Sequence, residues 1–555
     1  MTRARHREEI RFAIKILCSH IRTGATLITL LTCLATAVVL HQKGLTQSMT
    51  YEKMQEVKFA SIDLDLETGA TCNRVEETSL SEIDTSMSDG VRCSTLKNEV
   101  LAAQERLRLV FSRHANLKSV VDSLVRGGFV NLIESCPVQV GIPLHPMLAS
   151  PSCEVQQVVE HYHSFHEANQ EDSSRLTPFF AAEYKYDGQR IQMHYDRKSL
   201  VSPGMILYSR NLEDVTAKFQ TVCEWMLSKI PEDMSSFIID VEICALKHVK
   251  QWKDAEKLQH VESLILPFQV MATMKRKKID EDCQNAHLCI FAFDLLFLNG
   301  NSFVDAALIE RRNKLQDMFA SVLQFGYFHF TRSIDLYLES SIRENSNKIE
   351  SFLREAIGDG RCEGLMLKSL QSKYDGISRE FGGGMGGWRK LKKDYIDDLA
   401  DSIDVVPIGA WRGSGRKSKW FSPFLLAVLD KNTGEWQSLC RCMSGFTDEF
   451  YQTKFDQFSP CIVPQKPGDV STNEQVPFWF DPWKISEVWE IRGADLTLSP
   501  VHHTARGYAD GTFESGRGIA LRFPRFIRVR NDKSIEQCST SEDVLSLFAA
   551  QSQRL

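Results

Sequence analysis

The chain has 555 residues, 43% hydrophobic and 25% charged, with a formal net charge of −6. Such a length exceeds one hydrophobic core and suggests about three or four domains, and the composition excludes global disorder and a multi-span membrane protein. The charge excludes a uniformly basic nucleic-acid coat but not a local one: between Arg517 and Lys533 the chain carries Arg517, Arg522, Arg525, Arg528, Arg530 and Lys533 against Asp532 alone.

In chain order, the first distinctive stretch is Gly24–Leu40, GATLITLLTCLATAVVL, which has no charge and comes after a basic start. The residues admit two readings, a membrane segment or a buried helix; the stretch falls short of the roughly 20 apolar residues of a full span. From Thr46 to Asn98 the chain is rich in Ser, Thr, Glu and Asp and reads as a loop or poorly ordered insert. Leu101–Val125 has helical spacing, so the region up to about residue 140 reads as mostly helical. Gly141-Ile-Pro-Leu-His-Pro146 carries two prolines, cannot sit inside a helix, and reads as a domain junction.

From Phe179 short apolar runs alternate with turns. Phe179–Tyr184, Ile206–Tyr208, Phe237–Ile239, Cys289–Phe293 and Gly364–Leu367 predict strands, and Ala307–Phe319 predicts a helix. The run Gly382–Gly387 lacks a strand–loop–helix context and reads as a loop rather than a phosphate cradle. Past Lys393 a second β-rich region, with Asp404–Gly409 and Phe424–Leu429, suits a small barrel. The 15 cysteines are scattered, odd in number and without a CxxC pair, which argues for a reducing compartment and against a disulfide scaffold or a zinc site.

The chemistry centres on Glu183-Tyr-Lys-Tyr-Asp-Gly-Gln-Arg190, where Lys185 ends a strand two residues before an Asp-Gly turn. A lysine is a nucleophile only when neutral, so the reading requires a site that lowers its pKa by desolvation or nearby positive charge. Taken alone, the same four letters fit a surface lysine before a turn.

The order of the motifs downstream of Lys185 decides between them. The Lys185 stretch resembles the first motif of the covalent nucleotidyltransferases, the superfamily of DNA ligases, RNA ligases and mRNA capping enzymes. The resemblance implies that Lys185 attacks the nucleotide α-phosphate, Glu183 reads the adenine amino group and Arg190 serves the ribose. Tyr208-Ser-Arg-Asn211 resembles the next motif and implies Arg210 at the phosphate end. Phe237-Ile-Ile-Asp-Val-Glu242 implies Glu242 at the ribose and metal, and Phe291-Ala-Phe-Asp-Leu-Leu implies Phe293 stacked on the base. Glu363-Gly-Leu-Met-Leu-Lys368 implies a metal-facing Glu363 and a phosphate-facing Lys368. Trp388-Arg-Lys-Leu-Lys-Lys-Asp-Tyr395 resembles the last motif and implies Lys390 and Lys392, which alternate along a strand and so address one phosphate. Adenylyl transfer builds charge on a phosphate, so cations around it and carboxylates for Mg²⁺ are what the chemistry demands.

Leu266-Pro-Phe-Gln-Val, Lys275–Lys278, Leu298-Asn-Gly300 and the block from Gly518 to Arg530 resemble the replicative-type DNA ligases of eukaryotes, the DNA ligase I type. The resemblance runs from about Val140 to Leu555. It implies a multidomain α+β protein: a partial helical DNA-binding domain over 1–140, an adenylation domain with antiparallel sheets over 141–395, and an OB-fold barrel over 396–555. Phe12–Leu40 resembles part of the helical domain, with Ile21-Arg-Thr-Gly close to a segment there, which favours the buried reading of Gly24–Leu40. The family's version of that domain starts further upstream, after an extension with a clamp-binding motif and a nuclear signal. Phe268 and Phe523 match the phenylalanines that wedge into the minor groove beside a nick, and Arg522 and Arg525 would meet phosphates. The implied activity is sealing of nicked duplex DNA with ATP and Mg²⁺ through a lysyl-AMP and a DNA-adenylate, in replication, repair and recombination. The chain is expected to act as a monomer, off the membrane, in the nucleus or an organelle, with a sliding clamp or repair proteins as partners that the residues do not themselves show. Two other readings stay open: an RNA ligase or capping-type enzyme, and a DNA-binding remnant that self-adenylylates without sealing.

Overall fold

The computed structural model describes residues 27–43, 87–152, 154–169, 178–198, 204–247, 261–266, 286–358, 360–374, 387–392, 402–507 and 516–553. Met1–Leu391 form one compact unit and Lys392–Leu555 a second.

The first unit opens with helices. In α1 (Leu27–Gln42) the buried Leu31, Ala35 and Val39 recur every fourth residue and form one stripe. That stripe packs on Val100, Ala103, Leu107 and Val110 of α2 (Met87–Arg113). Two threonines of the stretch are met by α2: Arg108 Nη2 donates to Thr32 Oγ1 at 2.7 Å and Gln104 Nε2 to Thr36 Oγ1 at 3.0 Å. Among the described residues no helix is long and apolar enough to cross a membrane. Two local expectations change. Residues 87–98, read as loop, are helical because a helix nucleated on the buried Val100–Phe111 run extends backward at little cost. The run from Leu101 to Val125 is two helices, since Asn116 caps α3 (Leu117–Gly127) by accepting from Ser119 N at 3.1 Å. A short α4 (Leu132–Ser135) comes next. The two-proline stretch is a strap: Pro143 O accepts from Ala115 N at 3.2 Å, and Leu144 N donates to Gln192 Oε1 at 2.8 Å.

Beyond the strap lie two sheets. The five-stranded sheet has the order β1-β11-β10-β2-β9, with β1 (Ser150–Ser152), β2 (Pro178–Lys185), β9 (Ser333–Tyr337), β10 (Gly364–Ser369) and β11 (Arg389–Lys392). The six-stranded sheet has the order β4-β3-β5-β6-β7, with β8 (Phe328–Phe330) on β6. Its strands are β3 (Gln189–Asp196), β4 (Met205–Ser209), β5 (Ser236–Lys247), β6 (Ala286–Leu298) and β7 (Asn301–Ser302). The expected strands all lie within these elements, and the expected helix is present as Leu308–Phe319.

Strand alternation sorts the site from the core. Phe237, Ile239, Val241, Ile243 and Ala245 of β5 join Ile191 and Met193 of β3 in one apolar cluster. The intervening Asp240 and Glu242, with Arg190, Gln192 and His194 of β3, occupy the opposite face. Roughly 1.5–3 kcal/mol for each large apolar side chain buried makes a one-residue slip prohibitive, so burial of one face fixes the chemistry on the other.

The second unit is β-rich. β12 (Ser402–Arg412), β13 (Phe421–Leu429) and β14 (Trp436–Cys442) form an antiparallel meander. The start of β12 pairs instead with the strand Trp489–Arg492, which pairs with the strand Arg525–Val529. Its core is aromatic, with Phe424, Tyr451, Phe458, Trp489 and Phe526. Phe268, Lys275–Lys278 and residues 382–386 lie outside the described residues.

Candidate active site

Lys185 closes β2, and its Nζ lies 2.5 Å from Oε2 of Glu363, the residue just before β10. The backbone makes that meeting obligatory, since Glu363 N donates to Lys185 O at 2.9 Å. The next residues cross from one sheet to the other, and Tyr186 stacks on Phe291 of β6 at 4.1 Å. Gly188 passes so close to β5 that a β-carbon there would collide with the Ile243 carbonyl and the Cys244 thiol, which explains the Asp-Gly pair.

Three carboxylates surround the lysine. Burial opposes the charged amine, but Glu363, Glu242 and Asp187 outweigh it and hold the Lys185 pKa above the ordinary lysine value. The sequence predicted the opposite, a lysine lowered by desolvation or neighbouring cations; in the ligand-free chain the clustered carboxylates win. Burial pushes the Glu242 carboxyl up to about 8, against the pull of Lys185 and Arg190 and with the push of Glu363 and Asp187.

Glu183 shares a strand face with Lys185, as alternation requires. It is buried and ion-paired with Lys368. The register explains the pair and corrects an expectation. Lys368 stands opposite Ala181, so it is a diagonal neighbour of Glu183 but four residues, roughly 13 Å along the strand, from Lys185. It therefore neutralises Glu183 rather than standing with the lysine and its carboxylates. Its ammonium also lies 4.6 Å from the Phe293 ring centroid and 4.3 Å from that of Trp388.

Arg190 faces the same rings at 5.4 Å from each. Its Nη2 contacts Asp240 Oδ2 at 2.8 Å and its Nη1 donates to Met147 O at 2.6 Å. Glu183, Arg190, Phe293 and Lys368 thus cluster together, and Lys185, Glu242 and Glu363 form a charged group. Lys390 and Lys392 alternate on β11, two and four residues past Trp388. Arg210 sits in the exposed turn after β4, the edge strand of the other sheet.

In the second unit, Phe523 is 50% exposed and adopts a left-handed φ of 51° in the turn between Gly518–Arg522 and Arg525–Val529. A strained backbone presenting a half-exposed aromatic ring is a combination that packing alone does not reward. The Arg522 guanidinium lies 4.7 Å from that ring, and Arg525 opens the strand that ends at Val529. The basic run is not open charge, and Arg522 Nη1 itself lies 3.5 Å from Asp495 Oδ2. Register sets Glu490 opposite Arg528, and the pair closes at 2.8 Å. Asp404 takes Arg530 at 3.2 Å and Lys533 at 2.6 Å.

Sequence reasoning missed Asp187, Asp240, Tyr374 and Trp388. Asp240 was within reach, because it lies two residues before Glu242 on a strand and must share its face. Tyr374 carries no local signal.

The chain is similar to known proteins along most of its length. A family profile described as "ATP dependent DNA ligase domain" matches residues 146–392, and one described as "ATP dependent DNA ligase C terminal region" matches residues 417–533. The chain is 36% identical over 446 residues to "DNA ligase 1" of Dictyostelium discoideum, covering 80% of this chain and 33% of that protein. It is 34% identical over 461 residues to "DNA ligase 1" of Drosophila melanogaster, covering 82% and 55%. Against "DNA ligase 6" of Arabidopsis thaliana it is 31% identical over 571 residues, covering 100% and 35%. The chain therefore spans between a third and about half the length of these relatives.

Proposed function

Because the chain belongs to the ATP-dependent DNA ligase family, we propose that it seals nicks in duplex DNA through an AMP carried on Lys185. The observation that carries this reading is the Lys185 amine fixed at a strand end against Glu363, with Glu242 and Asp187 around it. Lys185 Nζ attacks the α-phosphorus of ATP, the bond to the bridging oxygen breaks and pyrophosphate leaves. The phosphoramidate then passes AMP to the 5′-phosphate of the nick, with the lysine amine departing. The 3′-hydroxyl attacks that activated phosphate, a phosphodiester forms and AMP leaves.

The donor set fits Mg²⁺. Glu242, Glu363 and Asp187 are hard oxygen donors, and a bound cation would offset the burial that disfavours the charged form of Glu242. Among the described residues no group of three or more His, Cys, Asp or Glu is set to hold a metal ion, so Mg²⁺ would be held by one or two of these carboxylates together with phosphates. When bound, Mg²⁺ would spread the charge developing on the phosphate and offset the carboxylates that keep Lys185 protonated. In this reading Glu183 and Phe293 receive the adenine, with Lys368 as counter-ion to Glu183. Arg190 and Glu242 receive the ribose, and Arg210, Lys390 and Lys392 serve the phosphates.

The second unit is read as an OB-fold built on the β12–β14 meander, with Phe523, Arg522 and Arg525 facing DNA. Phe523→Ala is expected to slow sealing of a nicked duplex by roughly tenfold, since an apolar wedge stabilises distorted DNA. Formation of lysyl-AMP should be unchanged. An equal loss in both steps would remove Phe523 from the DNA surface.

The direct test is incubation with α-labelled ATP followed by nicked duplex. The expected results are a covalent adduct on the wild-type chain that survives denaturation, and its discharge into sealed product. No adduct would overturn the reading, and an adduct discharged only by nicked RNA would redirect it to an RNA ligase.

A further inference from the structure

We propose that Tyr374 is a positioning residue for the nucleotide ribose, its hydroxyl locking the Arg190–Asp240 pair into one orientation. The inference rests on the function proposed above, which places the ribose at Arg190 and Glu242. Tyr374 itself touches neither the nucleotide nor the reacting atoms.

The hydroxyl is a three-way junction. It donates to Asp240 Oδ2 at 2.6 Å, and it accepts from Arg190 Nη2 at 3.2 Å and from Met147 N at 3.3 Å. Asp240 in turn takes Arg190 Nη2 at 2.8 Å and faces Nε at 3.5 Å. With Met147 O on Nη1, these bonds occupy four of the five N–H donors that a guanidinium offers. Among the described residues one N–H on Nη1 meets no partner and can face a ligand, its direction set by the four that are committed. In register, Arg190 stands opposite Glu242 on β5, so the direction it takes bears on the same subsite.

Tyr374 is itself rigidly held. It is 2% exposed, its N–H donates to Val304 O at 2.8 Å, and the turn before it is pinned by Arg311 Nη1 on Ser372 O at 2.9 Å. Burial and the neighbouring Asp240 carboxylate keep the phenol protonated, so it remains a donor to that carboxylate. Without the hydroxyl, Asp240 and Met147 N each lose a partner, and the guanidinium can pivot about its remaining bonds. The ring would stay, since its packing against Trp388 at 6.3 Å and under Arg311 at 5.8 Å involves no hydroxyl.

The test uses Tyr374→Phe and equilibrium binding of AMP, 2′-deoxy-AMP and 3′-deoxy-AMP to the full chain, none of which can adenylylate the lysine. The wild-type chain is expected to prefer AMP over at least one deoxy analogue by about tenfold or more, as a ribose hydroxyl held by buried polar groups should give. In Tyr374→Phe that preference should fall to within about twofold, and the KM for ATP in lysyl-AMP formation should rise with little change in the saturating rate. Tyr374→Leu, which also loses the ring, should lower thermal stability as well. An unchanged preference in Tyr374→Phe would overturn the proposal, whereas a wild-type chain that forms no adduct would overturn the ligase reading instead.

Discussion

Lys185→Arg is expected to abolish lysyl-AMP formation and nick sealing, with a loss of at least about 10⁴-fold, the scale seen when a covalent nucleophile is removed. The arginine would keep the charge and much of the reach, and could still pair with Glu363. It cannot supply a neutral amine, because a guanidinium stays protonated at any working pH. The comparison therefore separates a lysine that binds phosphate from one that attacks it. A phosphate-binding lysine would tolerate the change with a modest rise in KM. The wild-type amine is itself protected: Glu363 at 2.5 Å, with Glu242 and Asp187, holds its pKa up in the ligand-free chain. Glu363→Gln is accordingly expected to ease deprotonation of Lys185 and yet to slow catalysis, since it removes a donor that Mg²⁺ would use. Mass spectrometry of the chain after incubation with ATP reads both variants. An adduct on Lys185→Arg at the wild-type level would sink the assignment.

Asp294→Ala is expected to destabilise the first unit by about 3–5 kcal/mol, the cost of stranding a buried charge. Asp294 and Arg311 are both fully buried and meet in a two-pronged pair, with Nε to Oδ1 at 2.7 Å and Nη2 to Oδ2 at 2.9 Å. Arg311 also donates to the carbonyls of Ala306, at 2.7 Å, and Ser372, at 2.9 Å, tying the helix Leu308–Phe319 to the turn that carries Tyr374. Removing the carboxylate leaves the guanidinium without its counter-ion in a site closed to water. The double change Asp294→Leu with Arg311→Met removes both charges and should recover most of the loss, because a buried pair costs nearly as much desolvation as it returns. Thermal denaturation of the single and double variants checks this. A melting temperature for Asp294→Ala within a degree or so of wild type would refute it. Asp294 comes directly after Phe293 on β6, so the single variant should also bind nucleotide more weakly.

The motif order, the strand positions and the face shared by Glu183 and Lys185 were legible in the linear sequence because each depends on local information: apolar alternation, a turn dipeptide, the spacing of residues within one strand. The same holds for Glu242 and Arg190, whose strands bury alternate residues in a common core. The strands of the first unit and the family were therefore already written in the amino-acid order. The partners of the candidate site residues were not. Lys368 pairs with Glu183 because of the register between β10 and β2, and Tyr374 meets Asp240 across 134 residues of chain. Glu490 and Asp404 cancel charge that looked open in the run from Arg517 to Lys533. The state of the nucleophile likewise came from Glu242 and Glu363 of two distant segments converging, with the adjacent Asp187, on one amine. These features required the folded chain, because a charge takes its pKa and its orientation from whatever the fold places beside it, and segments far apart in sequence meet only once folding brings them together.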